Sequence, residues 1–405
     1  METGHQKGAE SPKRRGLRHH VRITVPRLSR FAVEHLLLLP LGALVALVWV
    51  NTAPESYYRF TFAISFAVND VAMMLFFALM TKEVVEATAP GGVLHPWRRA
   101  MLPVVASIGV TALPALIHVR MVQVLDEPML SIGWPVSLAT DLAITYFIAR
   151  IIFRPHHPVI PFLLLLGIAS DALGFVSLAL FNPMRQVHLT SSVLILAGAI
   201  AIAAALRSLR VRSFWPYLLG AGSVSWFGFF WSGLHPALAL VPVIPFMPHA
   251  ARDPGFFVDA LPSAKDTSSQ FEIWWRYPAQ AALFFFGVVN AGVPMGALEA
   301  GTWGLPIAVI VGKPLGLLIG AGLALVGGLH LPHRVGWREL IVGGLIAAMG
   351  FSVGLFFSSA LFPPGQPRSE MSMGVLLSLL GAPLALVAAR LLRVGRFSGG
   401  SRTPA

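Results

Sequence analysis

The stretch from Gly133 to Phe181, GWPVSLATDLAITYFIARIIFRPHHPVIPFLLLLGIASDALGFVSLALF, limits what this chain can fold into more than any other. It consists of two apolar segments, each long enough to cross a membrane, joined by a short basic, proline-containing turn at Arg154 to Pro158. Each segment carries one carboxylate inside its apolar run, Asp141 in the first and Asp171 in the second. By helical rise, Asp141 lies roughly 14 Å from Ile132 and Asp171 roughly 18 Å from Val159, within a hydrocarbon layer of about 30 Å. Both sit near the midplane. An acid at that depth is tolerated in a protein interior or a watery cavity, where it marks an ion or proton path.

The rest of the chain agrees with a membrane setting. It is 56% apolar and only 12% charged over 405 residues, a balance that identifies an all-α polytopic membrane protein. Runs of apolar residues predict twelve transmembrane helices, near 35–51, 60–80, 100–122, 132–153, 159–181, 189–207, 213–231, 233–249, 275–297, 303–329, 337–362 and 370–393. The domain expectation is a basic cytoplasmic tail over 1–33, a transmembrane domain over 34–393 and a C-terminal cytoplasmic tail over 394–405. With both termini cytoplasmic, 25 of the 30 Lys and Arg residues fall on that side. Only Arg59, Arg120, Arg185 and Arg368 lie outside, and Lys313 is inside a span. The net charge of +12 is therefore a topology signal and not a nucleic-acid patch. Cysteine is absent, which excludes disulfides and thiolate metal sites. The loop from Pro248 to Trp274 is mixed in charge and is expected to divide two bundles of helices.

Segments 100–181 and 303–393 each contain three spans in opposite orientations, the pattern of an inverted structural repeat. The middle span of each is interrupted, by SLATDLAIT around Thr140 and Asp141 and by AAMGFSVGLFFSSA, rich in Gly350, Ser352, Gly354, Ser358 and Ser359. Glycine and serine lower the cost of unwinding there. Two broken helices meeting at the midplane bring half-helix dipoles together, and the expectation is that Asp141 offsets the first break and Lys313 the second. Lys313 lies about 12 Å from Leu305, equally deep. A single buried charge is as often a structural anchor as a functional group, but three at one depth favour an ion path. Asp70, halfway along its span, fits a watery entry or a structural partner equally well. Gly312, Gly316 and Gly320 read as a close helix contact. The histidines at 156, 157, 330 and 333 read as solvated loop residues.

These residues resemble the NhaA-type sodium/proton antiporter family. The resemblance is carried by VNDVAMMLFFALMTKEVVE at 68–86, GWPVSLATDLA at 133–143, GIASDALG at 167–174 and SGLHPALA at 232–239, and further by NAGV at 290–293, VGKPLG at 311–316 and GFSVGLFFSSALF at 350–362. They occur in the family's order over about residues 35 to 390. The resemblance implies two broken helices crossing at the midplane, Thr140 and Asp141 in the first, Asp171 as the cation-binding carboxylate and Lys313 as the buried lysine. Glu83, His235 and Glu272 match or adjoin positions the family associates with pH response. One departure stands out: the family has two adjacent carboxylates where this chain has Ser170 and Asp171. Ser170 occupies the position of the lysine's usual partner, and a hydroxyl ligates a cation but does not carry a proton.

The expected activity is exchange of Na⁺ or Li⁺ for H⁺ across a bacterial cytoplasmic membrane, for sodium and pH homeostasis. A proton and a sodium ion compete for Asp171, with the Thr140 and Ser170 hydroxyls, Asp141 and backbone carbonyls as further oxygen ligands. Asp171 and Lys313 are the proton-transfer candidates. The partners are Na⁺ or Li⁺, H⁺ and membrane lipid, with a homodimer within the expectation; neither a cofactor nor nucleic acid is called for. Three other readings stay open on the sequence: a sodium-coupled organic anion symporter using Lys313, an intramembrane aspartyl protease using the two aspartates, and a degenerate protein that no longer transports.

Overall fold

The computed structural model describes residues 38–88, 97–154, 157–181, 189–232, 234–249 and 266–398, so the tails over 1–33 and 399–405 lie outside the described residues. All regular structure among the described residues is helical. In chain order, α1 is Leu38–Thr52, and α2 runs as Pro54–Phe66, a π-helical stretch Ala67–Ala72 and Met73–Thr88. Next come α3 (Trp97–Val124), a 3₁₀ segment Pro128–Leu138, α4 (Leu142–Ile152), α5 (Val159–Phe181) and α6 (Leu189–Ser208). The second half holds α7 (Gly222–Ser232), α8 (Thr267–Asn290), α9 (Gly304–Val326), α10 (Trp337–Ala347), α11 (Phe351–Leu361), α12 (Gln366–Leu377) and α13 (Gly381–Leu391).

Burial is reversed relative to a protein that folds in water. Phe62 is 85% exposed and Val326 89%, whereas Lys313, Thr140 and Ser170 are at 0%. An apolar exterior around a polar interior is the signature of a bilayer as solvent. Among the described residues, five helices are long and apolar enough to span, and two bent pairs raise this to seven. Of the twelve expected spans, 233–249 is not a helix. It folds as turns around two 3₁₀ pieces, Pro236–Leu238 and Ile244–Phe246. Pro236, Pro242, Pro245 and Pro248 remove amide donors too often for an α-helix to form. The segment is nonetheless buried, with Leu240 and Val243 at 0% exposure.

The two broken helices are present. The 3₁₀ segment and α4 meet at 59°, and α10 and α11 at 47°. Each belongs to a three-part unit, α3 to α5 and α9 to α13. The units meet where α3 crosses α9, Gly312 lying on Pro114, Gly316 on Gly109 and Gly320 on Ala106. Those pairs run in opposite directions along the chain, so the units are antiparallel, as an inverted repeat requires. A Cβ on Gly316 would collide with the Gly109 carbonyl, which is why this crossing needs glycine.

The remaining helices form a second group, with α8 packed on α1 and on the second half of α2, and α6 on α7. Of the loop expected to divide two bundles, residues 250–265 lie outside the described residues; the described segments on either side, 234–249 and α8, both pack on α2 and so belong to one bundle. The boundary is instead the junction of this group with the two repeat units, lined by Phe77, Phe175, Phe356 and Phe286 in one continuous core.

Candidate ion-binding site

The site grows from the two breaks. Ala139 has an extended backbone (φ −55°, ψ 136°), which ends the 3₁₀ segment, and Asp141 starts α4 as its N-cap. Across from it, α10 ends at Ala347 and Gly350 precedes α11. The breaks touch: the Asp141 amide donates to the Met349 carbonyl at 2.7 Å, and a Cβ on Gly350 would lie 2.5 Å from the Ala139 carbonyl oxygen. The four helix ends thus face one another, two N-terminal and two C-terminal.

Asp141 binds both N-terminal ends. Its Oδ1 accepts from the Ile144 amide at 3.0 Å and its Oδ2 from the Ser352 amide at 2.9 Å. Lys313 binds both C-terminal ends. Its Nζ donates to the carbonyls of Leu138 at 3.4 Å, Ala139, and Ala347 at 3.0 Å, and to Thr140 Oγ1 at 2.9 Å. The sequence reading assigned one charge to each break; the hydrogen bonds instead give each charge to both breaks. The reason is geometric, since the helices cross and like ends become neighbours.

Asp171 projects from α5 toward the same crossing, 7% exposed, and its Oδ1 accepts from the Thr140 amide at 2.9 Å. Its neighbour Ser170 is fully buried, and the hydroxyl has no hydrogen-bond partner among the described residues. Thr140 Oγ1 accepts from Lys313 and contacts the Ala347 carbonyl at 3.4 Å, so it ties the lysine to the second break. Among the described residues no carboxylate oxygen lies within 4.0 Å of Lys313 Nζ. Asp141, Asp171, Thr140, Ser170 and Lys313 are therefore brought together.

A cavity of about 560 Å³ opens from Asp141, Asp171 and Ser352, past Phe76, Phe77 and Phe147, to Thr81 and Val84. Thr81 and Val84 flank Lys82 and Glu83, so the cavity runs from the crossing toward that end of α2. There Lys82 Nζ meets Glu272 Oε2 at 2.6 Å, Glu86 Oε2 at 2.7 Å and Glu83 Oε1 at 3.8 Å. Glu83 and Glu272, named from sequence, converge on a lysine that sequence reading passed over. The KEVVE spacing, with an acid at i+4, was the available signal. His235 is elsewhere: buried, its Nδ1 accepts from the Ala237 amide at 3.3 Å and its ring packs edge-on to Phe356 at 4.6 Å. Asp70 lies half-buried on the π-helical stretch beside Asn69, which pairs with Asn290 at 2.8 Å. In the loops, His157 is held below the usual histidine range by partial burial, while nearby Glu339 acts in the opposite direction.

Comparison with known proteins agrees with this architecture. The structure of the sodium proton antiporter MjNhaP1 from Methanocaldococcus jannaschii superposes with a TM-score of 0.57 over 90% of this chain and 95% of that one, at 16% identity, a likeness of fold. The Na(+)/H(+) antiporter NhaA 1 of Pelobacter propionicus is 38% identical over 366 residues, covering 88% of this chain and 96% of the relative. The Na(+)/H(+) antiporter NhaA of Desulfitobacterium hafniense is 36% identical over 381 residues, 92% and 97%. The profile of the family described as Na+/H+ antiporter 1 matches residues 30–391, and with relatives this similar along almost their whole length, the chain belongs to the NhaA family of Na⁺/H⁺ antiporters.

Proposed function

We propose that this protein exchanges Na⁺, and Li⁺ as a chemically similar cargo, for H⁺, with Asp171 as the group on which the two ions alternate. One observation carries the reading: Asp171 is a nearly buried carboxylate at the end of a cavity, with no cation within 4.0 Å among the described residues. Na⁺ is a hard ion and takes oxygen ligands. Asp171 supplies charge, the unpartnered Ser170 hydroxyl supplies a neutral oxygen, and the loosened backbone at the breaks supplies carbonyls. Thr140 and Asp141 complete the wall, each already holding hydrogen bonds that fix its position.

In this reading Asp141 and Lys313 offset the four half-helix ends, Asp141 the positive pair and Lys313 the negative pair. Both oxygens of Asp141 accept backbone amides, which leaves it unsuited to share a proton with Asp171 as a protease dyad would. All the hydrogen bonds of Lys313 end on internal oxygens, which leaves it without a free donor for an organic anion. The cavity opens on the cytoplasmic side of a bacterial inner membrane, both termini lie on that side, and the Lys82 cluster with Glu83 and Glu272 guards the mouth as the pH-responsive element. His235 contributes by anchoring the 236–249 segment. The molecule works in lipid, as a homodimer.

Na⁺-driven proton movement in everted membrane vesicles tests the assignment. Asp171→Asn keeps size and the acceptor for the Thr140 amide but removes the charge, so exchange is lost while the purified protein melts at the temperature of the parent. Exchange that survives in Asp171→Asn overturns the site.

A further inference from the structure

A second group of acids lies at the opposite end of the molecule from the Lys82 cluster, since α3 carries the chain across between them. Glu127, Glu299 and Glu370 each offer a carboxylate oxygen, and these three oxygens lie within 4.8 Å of one another. They come from three separate parts of the chain. Glu127 ends the turn after α3, where Asp126 takes a left-handed conformation (φ 57°) and the Glu127 amide returns to the Val122 carbonyl at 3.0 Å. Glu299 precedes the 3₁₀ turn Ala300–Trp303 that leads into α9, and Glu370 sits in the first part of α12.

Three carboxylates so close repel one another unless a cation or protons intervene. Among the described residues none of the three takes part in an ion pair. Arg368 and Arg120, the arginines nearest in sequence to Glu370 and Glu127, donate to other partners, Asn290 Oδ1 at 2.6 Å and Gln123 Oε1 at 3.3 Å. The decisive observation is at Glu370. It is only 2% exposed, and although Gln366 hydrogen-bonds its carboxyl group, Oε2 is buried with no hydrogen-bond partner. A Cβ built on Gly301 would lie 2.5 Å from that Oε2 and 3.4 Å from Glu127 Cγ. The orphan oxygen therefore faces the cluster across a backbone that only glycine allows so close. A buried acceptor left without a partner is destabilising, more so when it is charged, and a bound cation removes that cost.

We propose that Glu127, Glu299 and Glu370 form a binding site for a divalent cation, Ca²⁺ in preference to Mg²⁺. Ligand type selects a hard ion, and the mixed origin of the ligands selects the more adaptable one. Ca²⁺ accepts irregular sets of carboxylate and water oxygens, whereas Mg²⁺ demands near-octahedral order and gives up its water reluctantly. The exposed Glu299 leaves the remaining positions to water. The ion fastens the start of the first broken helix to the entries of the Lys313 helix and of α12, so it stiffens the end of the repeat units opposite the cavity mouth. This site is independent of the exchange reading and is tested without transport.

The full-length protein, purified in detergent and stripped with a chelator, is titrated with CaCl₂ by calorimetry and by melting temperature. The expected result is one site with a dissociation constant of about 10⁻⁴–10⁻³ M, the range of extracellular Ca²⁺ modules, and a rise in melting temperature that Mg²⁺ reproduces only at higher concentration. Glu370→Gln relieves the repulsion, so the chelated variant melts higher than the chelated parent and no longer responds to Ca²⁺. Glu299→Gln, at an exposed position that tolerates substitution, weakens the response if Glu370→Gln does not fold. Absence of any Ca²⁺ effect up to about 10 mM, above the weakest constant expected, overturns the site, as does a response unchanged in both variants.

Discussion

Lys313 and Lys82 are shut away from solvent to a similar degree, at 0% and 3% exposure, yet they are satisfied by opposite kinds of partner. Lys313 gives its hydrogen bonds to three backbone carbonyls and a hydroxyl at the ends of two broken helices. Lys82 sits among three carboxylates, two on its own helix and one, Glu272, from α8. Carbonyls are fixed by the fold and hold their dipoles at any pH. Carboxylates gain and lose protons. The first lysine is therefore built into the architecture of the crossing, and the second into a cluster able to respond to its surroundings.

The largest effect expected from this contrast is on stability at Lys313. Lys313→Met fills the space with a flexible apolar chain but leaves the carbonyls of Leu138 and Ala139 without the lysine donor and the Ala347 carbonyl with the Thr140 hydroxyl alone. Each buried acceptor costs about 1–3 kcal/mol, so the loss is roughly 3 kcal/mol or more. Melting of the purified variant measures it. Because the acceptors are backbone, Asp171→Asn added to Lys313→Met does not restore stability. A double variant as stable as the parent would show that Lys313 serves the carboxylate and not the helix ends.

A smaller effect, with coupling of the opposite kind, is expected at Lys82. Lys82→Met leaves Glu83, Glu86 and Glu272 facing one another in a partly buried site and costs roughly 2 kcal/mol at neutral pH. Adding Glu272→Gln removes one of the like charges and recovers about 1 kcal/mol, a coupling within the usual range for residues in contact. The double-mutant cycle is read from melting temperatures. Strict additivity at Lys82 and Glu272 would erase the distinction between the two lysines.

Much of this was legible in the sequence because depth and interruption are local properties. Asp141, Asp171 and Lys313 each stand in an apolar run whose length sets their depth, and the two breaks announce themselves by Thr140, Asp141, Gly350 and Ser352. The span expected over 233–249 failed because hydropathy counts apolar atoms and ignores the amide donors that its prolines remove. Half of the Lys82 cluster was legible in the i,i+4 spacing of Lys82 and Glu86, but Glu272, 190 positions away, joins only through tertiary packing, as do Glu127, Glu299 and Glu370, which lie in separate parts of the chain. The sharing of both breaks by Asp141 and Lys313 was hidden for the same reason, since no spacing along the chain reveals which half-helix ends face each other.

The last prediction has the smallest expected effect, which is none, and concerns charge movement. An exchanger that releases two protons for one Na⁺ moves net charge, and the membrane potential drives it. Here Ser170 carries no proton and both oxygens of Asp141 accept backbone amides, which leaves Asp171 as the acidic carrier in the proposed exchange. A second proton would have to come from Lys313. The three hydrogens of its ammonium are shared among four oxygens within reach, and the neutral amine, with two hydrogens, would leave one more buried acceptor unpaired. On these contacts Lys313 is expected to keep its proton through the cycle, so that one H⁺ leaves as one Na⁺ binds and exchange is electroneutral. In reconstituted liposomes with the potential set by a potassium gradient and valinomycin, the initial rate is the same at inside-negative and inside-positive potential. A rate that follows the potential, and ceases to in Lys313→Gln, would assign the second proton to the lysine and place Lys313 with Lys82 among the responsive groups.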